Sequence, residues 1–147
     1  RKKSIWVMVL SGLKSDHFKP DNTITQIDFF RYLFVPEMRY YDDEGLYDML
    51  ENRGIVKGEE KAPESKLTRQ DAAKFLIRYL GLGLAGERPE IYVSKFGDKV
   101  EDQYRGYASL CYGLGIMRGD EKGRFNGTKT MTNAEAASVI YNTMKVK

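Results

Sequence analysis

Cysteine and histidine are nearly missing from this chain, with one of each in 147 residues, Cys111 and His17. A single cysteine excludes an internal disulfide and any cysteine-rich zinc site. One histidine leaves no material for a histidine-based metal cluster, and the two residues stand too far apart in sequence to nominate a dyad. No cofactor is expected. Low cysteine usage suits a cytosolic protein and an exported bacterial wall protein alike, so it does not fix the compartment. Long apolar runs are also missing: nothing approaches the ~20 residues that span a bilayer, and no membrane insertion is expected. Nor is there charge of one sign. The 24 basic residues face 21 acidic ones, a net charge of +3 that is a mild bias toward anionic partners. That dispersed balance is far from a nucleic-acid binder with a concentrated basic recognition face.

What remains, 41% hydrophobic and 31% charged, is globular composition in a length that suits one domain or an array of small repeats. One phrase recurs three times: Ile24-Thr25-Gln26-Ile27-Asp28, Leu67-Thr68-Arg69-Gln70-Asp71 and Met131-Thr132-Asn133-Ala134-Glu135. A threonine that accepts a bond from the third helical amide, with an acid three residues on, is a helix-start signature. Glu135 is long enough to reach back to the cap amide, while Asp28 and Asp71 favour the helix dipole. Apolar residues then recur at helical spacing: Phe29, Phe30 and Leu33; Ala72, Ala73, Leu76 and Leu80; Ala136, Ala137, Ile140 and Met144. A helix start written three times in a short chain marks a repeat protein.

Taken in order, residues 4–11 read as a short helix after Arg1-Lys2-Lys3, the tail of a helix cut by a chain boundary or a processing site. That start has the outline of a signal peptide, but no small-residue cleavage site follows. A helix opens at Thr25 and stops near Val35, because Pro36 disfavours helical geometry in its predecessor. Further helices are expected over Glu44–Arg53, from Thr68 to about Leu80, over Asp102–Leu114 and over Thr132–Met144. Gly54 and Gly115 serve as C-terminal caps. The glycine-rich stretch Gly81–Glu90 reads as part of a linker. The units are 1–35, 36–81 and 96–147, with the linker at 82–95, and neither helix of a pair can bury its stripe alone.

Gly54-Ile55-Val56-Lys57-Gly58 matches Gly115-Ile116-Met117-Arg118-Gly119, and Phe18 and Phe125 each stand seven residues before a capping threonine. With Phe96-Gly97-Asp98, Gly123-Arg124-Phe125 and the Thr132 phrase, the chain resembles the surface-layer homology (SLH) family. That family's pattern runs F-x-D, an amphipathic helix, G-I-x-x-G, a D-G-x-F-x-P loop and T-R-A-E. The third unit carries most of it. The second has Val35-Pro36-Glu37 in place of F-x-D and a shortened loop without an aromatic residue. The first keeps Phe18-Lys19-Pro20 and the Thr25 phrase but lacks most of its leading helix, whose place is expected elsewhere in a parent chain. The resemblance implies an all-α module of three helix-loop-helix repeats around a pseudo-threefold core. It implies anchoring of a bacterial surface protein, outside the cell, to an anionic, often pyruvylated, secondary cell-wall polysaccharide in grooves between repeats.

An acidic sugar needs planar donors and exposed amides. Arg69 suits a carboxylate because its guanidinium offers two parallel N–H groups, and its place at the start of a helix adds a favourable dipole and free amides. Gly58 and Gly119 are candidates for close ligand approach, with Lys57 and Arg118 adding charge. Gln26 and Asn133 occupy the places equivalent to Arg69 without its charge, so one principal groove is expected. Thr25, Thr68 and Thr132, with Asp28, Asp71 and Glu135, are assigned to capping. Trp6 and the ten tyrosines are candidate stacking surfaces. Gly81-Leu82-Gly83-Leu84-Ala85-Gly86 spells a dinucleotide fingerprint but follows a helix rather than a strand, so it is read as cap and linker. Asp120-Glu121-Lys122-Gly123 lacks the alternating acids of a calcium loop. Cys111 is expected to be a buried thiol. The leading reading is non-catalytic; its rivals are a structural or protein-interaction module of the same fold and an enzyme acting on glycans through paired carboxylates.

Overall fold

Thr25, Thr68 and Thr132 start three helices with nearly the same backbone geometry, φ of −85°, −87° and −80° and ψ of 161°, 160° and 163°. The computed structural model of the chain describes residues 19–37 and 40–147. The helix expected over residues 4–11, Trp6, His17 and Phe18 lie outside them. The described residues are all-α, with no strand. They form α1 (Gln26–Leu33), α2 (Asp43–Asn52), α3 (Arg69–Tyr79), the single turn α4 (Gly83–Gly86), α5 (Asp102–Gly113) and α6 (Asn133–Val146). Short 3-10 turns occupy Val35–Glu37, Gly58–Glu60 and Pro89–Ile91.

The ends follow local chemistry. Helix α1 stops at Leu33, and Pro36 sits inside the 3-10 turn that follows. Helices α2 and α5 are terminated by Gly54 and Gly115 at φ +72° and +76°, a left-handed position that a side chain disfavours. The amides of Ile55 and Ile116 then turn back to the carbonyls of Leu50 and Cys111. Helix α2 begins one residue earlier than its apolar spacing suggests, because the Asp42 carboxylate accepts from the Gly45 amide at 2.8 Å.

The residues just before the three capping threonines are hydrogen-bonded in a closed cycle. Ile24 donates to Met131 (2.9 Å), Met131 to Leu67 (2.8 Å) and Leu67 to Ile24 (3.0 Å). Antiparallel bridges flank the cycle at Thr23–Thr132, Thr25–Lys66 and Thr68–Thr130. All three residues are buried, where an unpaired amide would cost about 1–3 kcal/mol. Around the cycle pack Phe29, Phe30, Leu33, Phe75, Leu76 and Ile140, each fully or almost fully buried, with the Phe30 and Phe75 rings 5.0 Å apart. Cys111 is buried in the same core, which pushes its thiol pKa up.

The segment expected as a linker is packed. Gly86 is buried, and a Cβ on Gly106 of α5 would lie 2.1 Å from its carbonyl oxygen. Two glycines thus let α4 lie directly on α5. The Tyr92 hydroxyl donates to Ala85 O at 3.0 Å, and Arg105 Nε donates to Pro89 O at 3.1 Å. Of the glycines in the apparent fingerprint, Gly86 therefore serves close approach, while Gly81 (φ +81°) follows the end of α3.

Candidate functional site

The helix starts are where a ligand is expected, so the partners of their amides decide what a ligand finds there. Each capping hydroxyl accepts from the third helical amide: Thr25 from Asp28 (3.3 Å), Thr68 from Asp71 (3.3 Å) and Thr132 from Glu135 (3.1 Å). Glu135 also reaches back to the Thr132 amide at 3.0 Å. The first two amides of each of these helices donate to the loop that precedes another of the three capping threonines. Gln26 and Ile27 bond Ser65 and Pro63; Arg69 and Gln70 bond Lys129 and Gly127; Asn133 and Ala134 bond Asn22 and Pro20. The expectation that Arg69 stands among free amides is therefore corrected. Those donors already hold the neighbouring loop, and side chains must supply any anion site.

Two grooves lie at equivalent places. The first, of about 420 Å³, runs from the start of α3 along α6 and is lined by Arg69, Arg118, Glu135, Ser138, Asn142 and Lys145. It continues into a smaller hollow of about 210 Å³ that adds Gly119, Asp120, Asn126 and Lys129. Arg69 is largely buried. Its Nε donates to Phe125 O at 2.8 Å, and its terminal nitrogens make longer bonds of 3.4 Å to Glu135 and to Arg118 O. A guanidinium has five N–H groups, so these three bonds leave one on each terminal nitrogen uncommitted among the described residues. Arg118, Lys129 and Lys145 form no ion pair with another described residue. The rim thus carries cationic charge beside a fixed arginine.

The second groove, of about 320 Å³, is lined by Lys57, Glu60, Lys74, Arg78, Glu87 and the rings of Tyr104 and Tyr107. Here the chain supplies its own anion. The Glu60 carboxylate receives Arg78 at 2.6 Å, Lys74 at 2.8 Å and the Lys57 amide at 2.8 Å. Burial works to raise its pKa, but these donors outweigh burial and hold it at about 2. Lys57 also lies 3.6 Å from Glu87. Gln26, the counterpart of Arg69, is buried: its Nε2 donates to Glu60 O, and its Oε1 accepts from Ala62 N and the Tyr47 hydroxyl.

Of the seven candidate ligand residues, Arg69, Arg118 and Gly119 are brought together, while Lys57 lines the other groove. Gly58 is exposed at the start of a 3-10 turn, and Asn133 bonds Lys19 O at 2.9 Å. Gly119 is committed to the fold, since a Cβ there would sit 2.6 Å from the carbonyl carbon of Gly123. A third element holds the loop in place. Asp98 accepts from the amides of Phe125 (2.7 Å) and Asn126 (2.9 Å), and the Phe96 and Phe125 rings lie 4.8 Å apart. Burial opposes the Asp98 charge, but the two amides outweigh it and lower the pKa.

That clamp, the Gly115–Gly119 turn and the capped start of α6 fall within one stretch, residues 95–137, which matches the family model of the S-layer homology domain. Residues 95–137 are an S-layer homology domain. Such domains are non-catalytic modules that anchor proteins at the bacterial cell surface. Similar proteins include an amylopullulanase of Thermoanaerobacterium thermosulfurigenes and exoglucanase XynX of Acetivibrio thermocellus. Each is 23% identical over 155 aligned positions that cover 93% of this chain, but only 8% and 14% of the relative's own length. The chain therefore spans a small part of either relative.

Within the S-layer homology domain, Asp120 accepts from the amides of Lys122 and Arg124, from Asn126 and from the Arg124 guanidinium, which lower its pKa. Its carboxylate is consumed in the turn, and the described residues contain no cluster of His, Cys, Asp or Glu suited to a metal ion. No described helix is long and apolar enough to cross a membrane. Ser138, Asn142 and Lys145, absent from the sequence candidates, follow Glu135 at intervals of three, four and three residues. That spacing puts them on one helix face. The signal was present as the polar complement of the Ala136–Ile140–Met144 stripe.

Proposed function

We propose that this chain is a non-catalytic anchoring module of a larger extracellular surface protein and that it binds an acidic cell-wall polysaccharide in the groove between α3 and α6. The observation that carries this reading is the contrast in charge: Arg118, Lys129 and Lys145 have no acidic partner among the described residues, while Lys57, Lys74 and Arg78 of the other groove are paired with Glu87 and Glu60. A carboxylate on the glycan, such as a pyruvate ketal, takes the free N–H groups of Arg69 and a charge-assisted bond from Arg118. The cycle joining Ile24, Leu67 and Met131 supports three units about an approximate threefold axis, with one open groove.

Co-sedimentation with cell-wall sacculi tests the proposal. Wild-type protein pellets with sacculi that carry their acidic polysaccharide and stays in solution with sacculi stripped of it. The double variant Arg118→Ala/Lys145→Ala stays in solution with both. Equal pelleting on stripped sacculi overturns the glycan reading. That outcome favours a structural or protein-interaction module, which the internal bonds of Arg69 and the self-neutralised second groove would suit.

A further inference from the structure

Arg118 is exposed and borders three hollows. Two belong to the groove already described, and the third, of about 560 Å³, lies on its far side. Both larger hollows fall in the ~300–1,000 Å³ range of small-ligand sites. The third has the Tyr112 and Phe96 rings as its wall, Lys95 and Arg118 at its rim, and a floor that includes Gly113 and Gly119, which have no side chain to fill it. Tyr112 is 45% exposed, and its ring is set against Phe96 at 5.5 Å between centroids, nearly perpendicular. Phe96 is in turn packed on the buried Phe125. The platform is therefore fixed before any ligand arrives.

We propose that this hollow is a second carbohydrate subsite, joined to the α3–α6 groove across Arg118, so that the module takes consecutive sugars of an acidic polysaccharide. The C–H face of a pyranose packs on the exposed part of the Tyr112 ring, where the gain is dispersion and released water. The tyrosine hydroxyl stays at the wet edge, and Lys95 faces a second acidic substituent. The other G-I-x-x-G unit has no such platform: Glu51 stands three residues before Gly54, where Tyr112 stands three before Gly115. An acid at that place would repel an acidic chain.

The inference rests on the glycan reading above, and titration calorimetry separates the two. The probes are pyruvylated N-acetylmannosamine as a monosaccharide and a tetrasaccharide ending in it. Wild-type protein is expected to bind the tetrasaccharide about tenfold more tightly than the monosaccharide. Tyr112→Ala removes that difference and leaves monosaccharide affinity unchanged, which also shows that the variant is folded; Tyr112→Phe keeps the difference. If wild type binds both probes equally, or if Tyr112→Ala weakens both alike, the subsite is overturned while the glycan reading stands. If wild type binds neither probe, both fall.

Discussion

The grooves bordered by Arg118 and by Lys57 occupy the same place after a Gly-Ile-x-basic-Gly turn, yet they have opposite character. In one, Arg69 is pinned by the loop carbonyls of Phe125 and Arg118, and cations stand beside it without carboxylate partners among the described residues. In the other, Gln26 is buried and the Glu60 carboxylate sits among Lys74, Arg78 and the Lys57 amide, with Tyr104 and Tyr107 alongside. The homologous bonds persist in both: Arg78 donates to Ile55 O at 3.1 Å, as Asn142 does to Ile116 O at 3.2 Å. The frame is shared, and the place of the carboxylates differs: Glu60 gathers the second groove's cations into an internal ion cluster, while Arg118, Lys129 and Lys145 of the first have no such partner among the described residues.

The largest expected effect comes from removing that carboxylate. Glu60→Ala strands the Arg78 charge, whose side chain is only 5% exposed. It should lower stability by about 3 kcal/mol in urea unfolding, at the lower end for a broken buried pair. The pH dependence follows from the sign of the shift. The folded pKa of about 2 lies below the ordinary 4.5, so the contribution is complete above about 4.5 and is lost as pH falls toward 2. Glu60→Gln should flatten stability over that window. If Glu60→Gln also raises polymer binding, charge alone had closed the second groove; unchanged binding shows that shape closes it.

Next in size is a pair of alanine substitutions in the two turns. Gly119→Ala meets the Gly123 backbone and should cost about 2 kcal/mol by overpacking. Gly58→Ala has only Glu51 Oε1 within range, at 3.9 Å, and should stay within about 0.5 kcal/mol. Equal melting temperatures would show that the two turns are not differently packed. Arg118→Ala should then weaken polymer binding about tenfold, the worth of one charge-assisted bond, while Lys57→Ala leaves it unchanged. A matching loss from Lys57→Ala would mean that both grooves bind. The smallest effect tests what the grooves share: Thr25→Ala and Thr68→Ala should each lower stability by about 1 kcal/mol. A difference larger than the capping term itself would mean that the two helix starts do not carry equal load.

Much of the frame was legible. The threonine phrase located α1, α3 and α6, and Gly54 and Gly115 located the ends of α2 and α5, because capping is local chemistry read within four residues. The Phe96–Asp98 pattern and the Gly115 turn carried the family. The candidate site was legible only in part. Arg69, Arg118 and Gly119 were named and lie together, but Gly119 belongs to the fold, and the amides expected to be free hold the next loop. Glu60 passed unnoticed because its cationic partners stand 14 and 18 residues away, beyond the reach of a local pattern. The segment from 82 to 95 misled for a related reason: glycine marks both flexibility and close approach, and only the facing Gly106 and Tyr107 distinguish them.

The sequence by itself determined where helices start and stop, which faces are apolar and that one helix-start phrase recurs three times, since each depends on interactions within a few residues. Tertiary structure alone decided which charges remain available. Whether a lysine or arginine faces solvent or a carboxylate is set by contacts between distant segments, and a carboxylate brought within 3 Å neutralises a groove that the sequence describes as basic.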